Sequence, residues 1–179
     1  MADVAIVTGG TGSIGAATCA ALAAQGWTCI AADLVDPQAG TPDLAFQRLD
    51  VTSAQSIGEL VAAAAALGTI RALVNAHGIL RETPWESERE DETDAILDTN
   101  LKGVFRVTRI VAGAIADGGS IVNLSSVTAT MGRTRNAYAY QAAKAGVESF
   151  TRSMAIALAD REVRVNCVAP GYLSEPMRG

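Results

Sequence analysis

Two residues in the C-terminal third have the types and the spacing needed for proton transfer. Tyr140 and Lys144 stand four residues apart, so on a helix their side chains share one face about one turn from each other. A nearby ammonium stabilises a phenolate and lowers the pKa of a tyrosine from about 10 towards the working range of a general acid or base. Tyr138 has Ala142, and no lysine, four residues later. Taken alone, the YxxxK pattern also fits two solvent-facing helix residues.

A glycine-rich turn near the N-terminus has the pattern that binds the pyrophosphate of a dinucleotide. It follows an apolar run at 4–7 and leads directly into a helical segment that starts at Ile14. Glycine permits the tight turn and brings the backbone close to a pyrophosphate, whose charge is met by N–H groups at the helix N-terminus. Gly10, Gly12 and Gly15 satisfy the GxGxxG pattern. The cofactor-binding residues predicted here are Gly9, Gly10, Thr11, Gly12, Ser13, Ile14 and Gly15.

Acidic residues end the second and third predicted strands. Asp33 lies about 20 residues after the glycine turn, where a carboxylate accepts hydrogen bonds from the adenosine ribose and repels a 2′-phosphate. No Arg or Lys stands near Gly10–Gly12 or directly after Asp33, so the sequence favours NAD over NADP. The alternative is that Asp33 is an ordinary turn acid with Asp36 as its neighbour. Asp50, followed by Val51, is predicted either to hydrogen-bond the adenine or to cap the next turn.

Short apolar runs alternate with helical segments along the chain. The predicted strands cover 4–7, 29–32, 45–49, 72–74, 120–124 and 163–168. Such runs, buried on both faces and alternating with helices, indicate a parallel sheet with right-handed crossovers. A helix over 138–158 is supported by apolar residues that recur on one face, namely Val147, Phe150, Met154 and Leu158. The predicted fold class is α/β, a Rossmann-type doubly wound parallel sheet in a single domain over residues 1–179.

Composition argues against several classes of protein. A chain of 179 residues with 49% hydrophobic content suits one domain with a sizeable core. The net charge of -5 and the lack of a basic run argue against a nucleic-acid partner. Cys19, Cys29 and Cys167 are far apart and accompany one histidine, which predicts no disulfide framework, no metal site and a reducing cytoplasm. The run around Ala62–Ala66 is too short to cross a bilayer, and the N-terminus does not resemble a signal peptide.

Five motifs, together with Tyr140 and Lys144, resemble the short-chain dehydrogenase/reductase family in its compact single-domain form. The motifs are Thr8–Gly15, Asn75-Ala76-His77-Gly78, Asn100 within 98–103, Asn123-Leu124-Ser125-Ser126 and Pro170-Gly171-Tyr172. The resemblance covers essentially the whole chain. It implies an oxidoreductase that transfers a hydride between NAD(H) and a secondary alcohol or ketone, with 3-oxoacyl and 3-hydroxyacyl compounds as candidate substrates. It also implies a homodimer or homotetramer, and the slim helix around Ala142 and Gly146 suits such packing.

The resemblance implies a role for individual residues. Ser126 would polarise the substrate carbonyl, and Tyr140 would protonate it or take the proton in the reverse direction. Lys144 would bind the nicotinamide ribose hydroxyls and tune Tyr140, and Asn100 would hold a water in the proton relay. Ser125 is disfavoured because neighbouring strand residues point opposite ways. The other residues implied to line the cofactor cleft are Asn75, Ala76, Gly78, Pro170 and Gly171, whereas His77 is expected to contribute backbone contacts and no proton transfer.

The chain departs from the family pattern at several positions. Ser13 stands where a glycine is usual, and Gly12 also fits the TGxxGxxG spacing of extended, epimerase-like relatives, which makes a sugar-nucleotide epimerase one alternative. Ala76 replaces a frequent asparagine, and Glu175 a threonine that commonly contacts the nicotinamide amide. Family members continue past the position of Gly179 through a lid and a last strand, which we expect this chain to lack. A dinucleotide-binding module without turnover is therefore the other alternative.

Overall fold

A parallel sheet forms the centre of the computed structural model, which describes residues 1–37, 44–87, 89–131 and 136–173. Within those ranges six strands lie in the order β3-β2-β1-β4-β5-β6, and every neighbouring pair is parallel. The strands are β1 Asp3–Thr8, β2 Thr28–Asp33, β3 Ala45–Arg48, β4 Thr69–Asn75, β5 Ser120–Leu124 and β6 Arg164–Val168. The chain runs outward from β1 to β3 and then returns to β4 on the other side of β1. This doubly wound α/β order confirms the predicted fold class, and its switch point lies between β1 and β4.

Helices connect the strands and cover the sheet. They are α1 Ser13–Ala23, α2 Ala54–Leu67, α3 Glu90–Leu97, α4 Val104–Ala112, α5 Thr128–Met131 and α6 Tyr138–Ala157, with a π-helical turn at Asp98–Gly103 and a 3₁₀ turn at Ala159–Arg161. The predicted bounds of α6 and β5 agree with these to within one residue. Helix α2 begins after Ser53, whose side chain accepts a hydrogen bond from the Ser56 N–H at 3.3 Å, as an N-cap serine should.

Both faces of β1 are buried, which explains its continuous apolar run. Val4 and Ile6 pack into the larger core, which includes residues of α2, α4 and the end of α6. Ala5 and Val7 face the other side and pack in a second core with Cys19 of α1. On that second face, apolar residues of β4 and β5 are only half-buried: Ala72, Val74 and Val122. In the part of the chain that the structure describes, no helix has the length and apolar character to span a membrane.

Candidate active site

The glycine-rich turn lies at the switch point, between the end of β1 and the start of α1. Gly9 has a φ of +65°, and a Cβ atom there would lie 2.6 Å from the backbone nitrogen of His77. A Cβ atom at Gly15 would lie 2.0 Å from the Gly9 carbonyl oxygen. Both positions therefore require glycine. Helix α1 is capped by Gly12 without a side-chain hydrogen bond, so the backbone N–H groups of its first turn are suited to an anion.

Asp33 contacts this turn directly. Its Oδ2 atom accepts hydrogen bonds from the Thr11 N–H at 3.1 Å and from the Thr11 hydroxyl at 2.7 Å, while Oδ1 accepts from the Val35 N–H at 3.3 Å. These contacts hold the carboxylate beside the glycine turn, where the cofactor is expected. They fit equally well the alternative role of Asp33 as an acid that stabilises the turn. Ser13, where the family pattern has glycine, is exposed at the start of α1.

A cation that the sequence analysis missed lies beside Asp33. Arg48 of β3 is the register partner of Asp33 in β2, although the two residues are far apart along the chain. The Arg48 guanidinium is 4.0 Å from the carboxylate of Asp36, and both side chains are mostly exposed. Strand pairing is the only signal that brings Arg48 to this place. The local sequence has no Arg or Lys near Asp33, but the folded chain places Arg48 beside it on the neighbouring strand.

Asp50 has the contacts of a turn-capping residue. Its Oδ1 atom accepts hydrogen bonds from the Thr52 N–H at 2.8 Å and from the Thr52 hydroxyl at 2.7 Å. Of the two roles predicted for Asp50, this geometry satisfies the capping role, and an adenine contact stays a prediction. Val51 is buried and packs near Gly103 of the π-helical turn.

Tyr140, Lys144 and Ser126 converge where β5 ends and α6 begins. The Tyr140 phenol lies near enough to the Ser126 hydroxyl for this neighbour to lower its pKa, and the Lys144 Nζ atom is 5.7 Å from the centre of the Tyr140 ring. Tyr140 and Lys144 are both buried. Ser126 also accepts a hydrogen bond from the Thr128 hydroxyl at 2.9 Å. The three side chains that the sequence singled out for chemistry therefore form one cluster.

Ser125 points away from this cluster. Its hydroxyl contacts the Glu148 carboxylate at 2.7 Å and the Lys144 carbonyl at 3.2 Å. Ser126, and not Ser125, is thus the serine that meets the tyrosine.

Burial dominates the electrostatics of the cluster. It raises the pKa of Tyr140 above its usual value, and the neighbouring Ser126 hydroxyl only partly offsets this effect. Burial also lowers the pKa of Lys144 to about 8. The expectation that Lys144 lowers the pKa of Tyr140 is not met here, because the ammonium donates to the Leu124 carbonyl at 2.8 Å and both groups are desolvated.

The buried lysine makes stability depend on pH in a defined direction. The pKa of Lys144 falls from 10.5 to about 8 on folding, so between these values the unfolded chain binds more protons than the folded one. The free energy of unfolding contributed by this group therefore rises as pH increases above about 8, and it is independent of pH below that value. We expect the difference in unfolding free energy between wild type and Lys144→Met to grow in favour of wild type from pH 8 to 9.5, as measured by urea denaturation. A constant difference would contradict this assignment.

Both the oxygen and the nitrogen of the Asn100 side-chain amide form hydrogen bonds to the loop that contains Ile79. The amide donates to the Ile79 carbonyl at 2.7 Å and accepts from the Ile79 N–H at 2.8 Å, and the residue is fully buried. The Ile79 contacts use one amide N–H and one lone pair of the amide oxygen, and the backbone carbonyl of Asn100 offers a further acceptor for a relay water. The π-helical turn is suited to this, because such turns disturb the regular carbonyl pattern and occur often at functional sites.

The remaining predicted cofactor residues lie along the ends of β4 and β6. The Asn75 amide is buried and donates to Thr108 at 2.9 Å and to Asn123 at 2.8 Å, so its side chain has a structural role. Ala76 and Gly78 follow it, half-buried. The Pro170 carbonyl accepts from the Val127 N–H at 3.1 Å, which brings Pro170 and the exposed Gly171 beside the Ser126 loop. Glu175 lies outside the described residues. No cluster of metal-ligating side chains occurs within the described ranges.

An anion-binding glycine turn after β1 and an acid–base pair after β5, both at the carboxyl edge of one parallel sheet, form the arrangement of a dinucleotide-dependent oxidoreductase. Comparison with known proteins gives the family. The sequence profile described as short chain dehydrogenase matches residues 3–179. The chain therefore belongs to the short-chain dehydrogenase/reductase family, whose members are NAD(P)-dependent oxidoreductases acting on CH–OH and keto groups.

Individual relatives agree with this membership. The chain is 39% identical to a 3-oxoacyl-[acyl-carrier-protein] reductase of Thermotoga maritima, over 97% of this chain and 75% of that protein. It is 36% identical to an acetoacetyl-CoA reductase of Shinella zoogloeoides, over 99% of this chain and 76% of that protein. Among solved structures, the ligand-free aldohexose dehydrogenase of Thermoplasma acidophilum superposes with a TM-score of 0.90 at 31% identity, covering 98% of this chain and 68% of that one.

Proposed function

We propose that this protein transfers a hydride between NAD(H) and the carbon of a secondary alcohol or ketone, with Tyr140 as the proton donor or acceptor. The observation that carries the proposal is the convergence of Ser126, Tyr140 and Lys144 at the same edge of the sheet as the glycine turn. The bound dinucleotide would supply or accept the hydride. NADH oxidation by a panel of ketones, followed by absorbance, tests the activity directly, and an inactive full-length protein that binds NADH would refute it.

Side chains of the protein carry out the remaining steps, which are stabilisation of the carbonyl oxygen and transfer of the proton. In the reducing direction the Ser126 hydroxyl donates a hydrogen bond to the carbonyl oxygen, which stabilises the negative charge that develops there. Tyr140 donates its proton to the same oxygen, and its raised pKa keeps it protonated before the reaction. Lys144 stabilises the resulting phenolate through its charge and binds the ribose hydroxyls. Its pKa of about 8 lets it pass on a proton near neutral pH.

Cofactor preference is proposed to rest on Asp33. Its carboxylate is held beside the glycine turn by Thr11, where it would accept the ribose hydroxyls and repel a 2′-phosphate. Arg48 would otherwise favour NADP, but its guanidinium is directed towards Asp36. This arrangement supports NAD over NADP.

Substitution of Asp33 by alanine tests this cofactor preference. We expect Asp33→Ala to lower the ratio of kcat/KM for NADH to that for NADPH by at least about tenfold, because hydrogen bonds to charged groups contribute roughly 1.5–3 kcal/mol. Asp117→Ala is the control, since it removes a mostly exposed carboxylate that pairs with Arg161 and has no contact with Asp33 or Arg48, so it should leave the ratio nearly unchanged. A wild-type enzyme that already prefers NADPH would refute the NAD assignment.

The substrate class proposed is a 3-oxoacyl or 3-hydroxyacyl compound. Support comes from the relatives named as 3-oxoacyl-[acyl-carrier-protein] and acetoacetyl-CoA reductases. The aldohexose dehydrogenase, whose structure superposes with a TM-score of 0.90, makes a sugar the first competitor. Turnover of acetoacetyl-CoA compared with glucose separates the two. The reductase and dehydrogenase relatives lend no support to the alternative of an extended-type sugar-nucleotide epimerase.

A dinucleotide-binding module without turnover is the second candidate. Support comes from the half-buried apolar residues Ala72, Val74 and Val122 on one face of the sheet. The chain spans about three quarters of the length of the curated relatives it matches. An intact mass of the native protein above 18.4 kDa would favour a longer active enzyme. NADH binding without turnover in a native chain of that mass would favour the module.

Assembly and location complete the proposal. We propose a homodimer or homotetramer that packs through α6, where Ala142 and Ala145 are exposed small residues. We place the protein in the cytoplasm, a location supported by the free thiols of Cys19, Cys29 and Cys167. Light scattering of the purified protein measures the first of these.

A further inference from the structure

His77, the only histidine of the chain, lies buried just beyond the end of β4. Its Nδ1 atom is 2.6 Å from the hydroxyl of Thr8, the last residue of β1 before the glycine turn. This hydrogen bond forms with either tautomer of the ring. Burial, together with the positive charge of Lys144, lowers the pKa of His77 to about 3. The ring is therefore a neutral imidazole at pH 7.

The other ring nitrogen faces the π-helical turn Asp98–Gly103. A Cβ atom at Gly103 would lie 3.1 Å from the His77 Nε2 atom and 2.9 Å from the Val51 Cγ2 atom. The main chain of Thr99, in the same turn, is near enough to favour a protonated ring, but within the described ranges Nε2 makes no hydrogen bond of normal geometry. Packing against Gly103, and not a hydrogen bond, therefore holds this side of the ring.

The π-helical turn is in turn seated on α6. A Cβ atom at Gly146 of α6 would lie 2.8 Å from the Leu101 Cδ1 atom of the turn, so the Leu101 side chain packs directly against the α6 backbone there. Asn100 of the same turn is bonded to Ile79. The position of the turn relative to α6 thus affects the first turns of that helix, which carry the tyrosine and the lysine.

We propose that His77 is a positioning residue, whose ring joins the glycine turn to the π-helical turn and keeps the latter seated against α6. The proposal rests on the hydride transfer proposed above, because its effect is expected in turnover. A side chain of similar volume without nitrogen would fill the space against Gly103 but would lose the hydrogen bond to Thr8. A short amide would keep that hydrogen bond but would leave the space against Gly103 unfilled. Imidazole meets both requirements at once.

Two substitutions separate these requirements. His77→Asn retains an amide near the Nδ1 position that can reach Thr8, and His77→Ala retains neither contact. We expect both to lower kcat by about 10- to 100-fold, since a small misplacement of reacting groups has effects of this size. We also expect amides 98–103 to exchange with deuterium at least about tenfold faster in both variants, as in a locally opened segment.

Thr151→Val is the matched control. Thr151 lies at the far end of the same buried network, which runs from Thr8 through Asn75 and Asn123, and its hydroxyl bonds to Asn123 and to the Val147 carbonyl, away from the π-helical turn. Its loss should lower Tm while leaving kcat and the exchange of amides 98–103 unchanged.

The outcomes are distinct. Wild-type kcat and wild-type exchange in His77→Asn would overturn the proposal, because the Thr8 bond alone would then be sufficient. Slower turnover with unchanged exchange of amides 98–103 would also overturn it. Absence of turnover in the wild-type protein would refute the hydride transfer, while the exchange experiment would still decide whether His77 holds the turn. If His77→Ala does not fold, His77→Asn alone gives the same decision.

Discussion

Tyr140→Phe is expected to lower kcat by roughly 10²- to 10⁴-fold, the range found for removal of a general acid or base. The substitution removes only the hydroxyl that lies near Ser126, and the ring can stay in its buried site. NADH should therefore still bind, as measured by fluorescence, and the loss should fall on kcat. Because the pKa of Lys144 is about 8 and that of Tyr140 is raised, kcat/KM for ketone reduction should fall first above about pH 8, where Lys144 loses its charge, and further where Tyr140 ionises.

Tyr138→Phe provides the control for this experiment. Tyr138 lies two residues earlier on the same helix, and its hydroxyl is 3.3 Å from the Thr93 hydroxyl, outside the Ser126 cluster. We expect its kcat to stay close to that of wild type. Equal rates for the wild type and Tyr140→Phe would reject Tyr140 as the proton donor.

Gly15→Ala is expected to abolish measurable binding of NADH, with a loss of at least about 100-fold in affinity, or about 2.7 kcal/mol. The added Cβ atom would lie 2.0 Å from the Gly9 carbonyl oxygen and 2.9 Å from the Gly10 Cα atom. Because these are backbone atoms, the whole turn must move, and the N–H groups at the start of α1 lose their arrangement. Overpacking of this kind also destabilises the fold by about 1–3 kcal/mol. Fluorescence titration and thermal unfolding measure the two effects.

Gly58→Ala is the matched control, because a Cβ atom at this position in α2 meets nothing within 4 Å. Alanine is the better helix former by roughly 0.5–1 kcal/mol, so this variant should bind NADH normally and melt slightly higher. Normal NADH affinity in Gly15→Ala would show that the turn does not bind the pyrophosphate.

The site combines groups that burial has shifted in opposite directions. Tyr140 is held in its neutral, protonated form, while the pKa of Lys144 falls to about 8. Pairs of titratable groups whose environments move their pKa values in this way are typical of acid–base sites. The lysine ammonium donates to the Leu124 carbonyl. Occupancy of the ribose site would give this ammonium new partners, and the phenol would then feel its charge more strongly.

Local sequence predicted most of the elements. The parallel strands are buried on both faces, so each is a recognisable apolar run, and β5 lies at the predicted 120–124. The predicted helix at 138–158 agrees with α6 for the same reason, since its buried face repeats at helical spacing. Helix α4 was not among the predicted segments, although its buried residues Val104, Val107 and Val111 recur at helical spacing. The π-helical turn before it has no local pattern of this kind.

The sequence by itself determined the α/β fold and the family, because the order of apolar runs and motifs along the whole chain indicates both. It also determined the glycine turn and the Tyr140–Lys144 pair, because each of these depends on spacing within one short segment. Only the tertiary structure shows that Arg48 lies beside Asp33, that His77 forms a hydrogen bond with Thr8, and that the Asn100 amide bonds to Ile79. These contacts join residues of different loops and strands, which only strand order brings together. The direction of the Tyr140 pKa shift was likewise decided there, because desolvation depends on everything packed around the phenol and not on its neighbour four residues away.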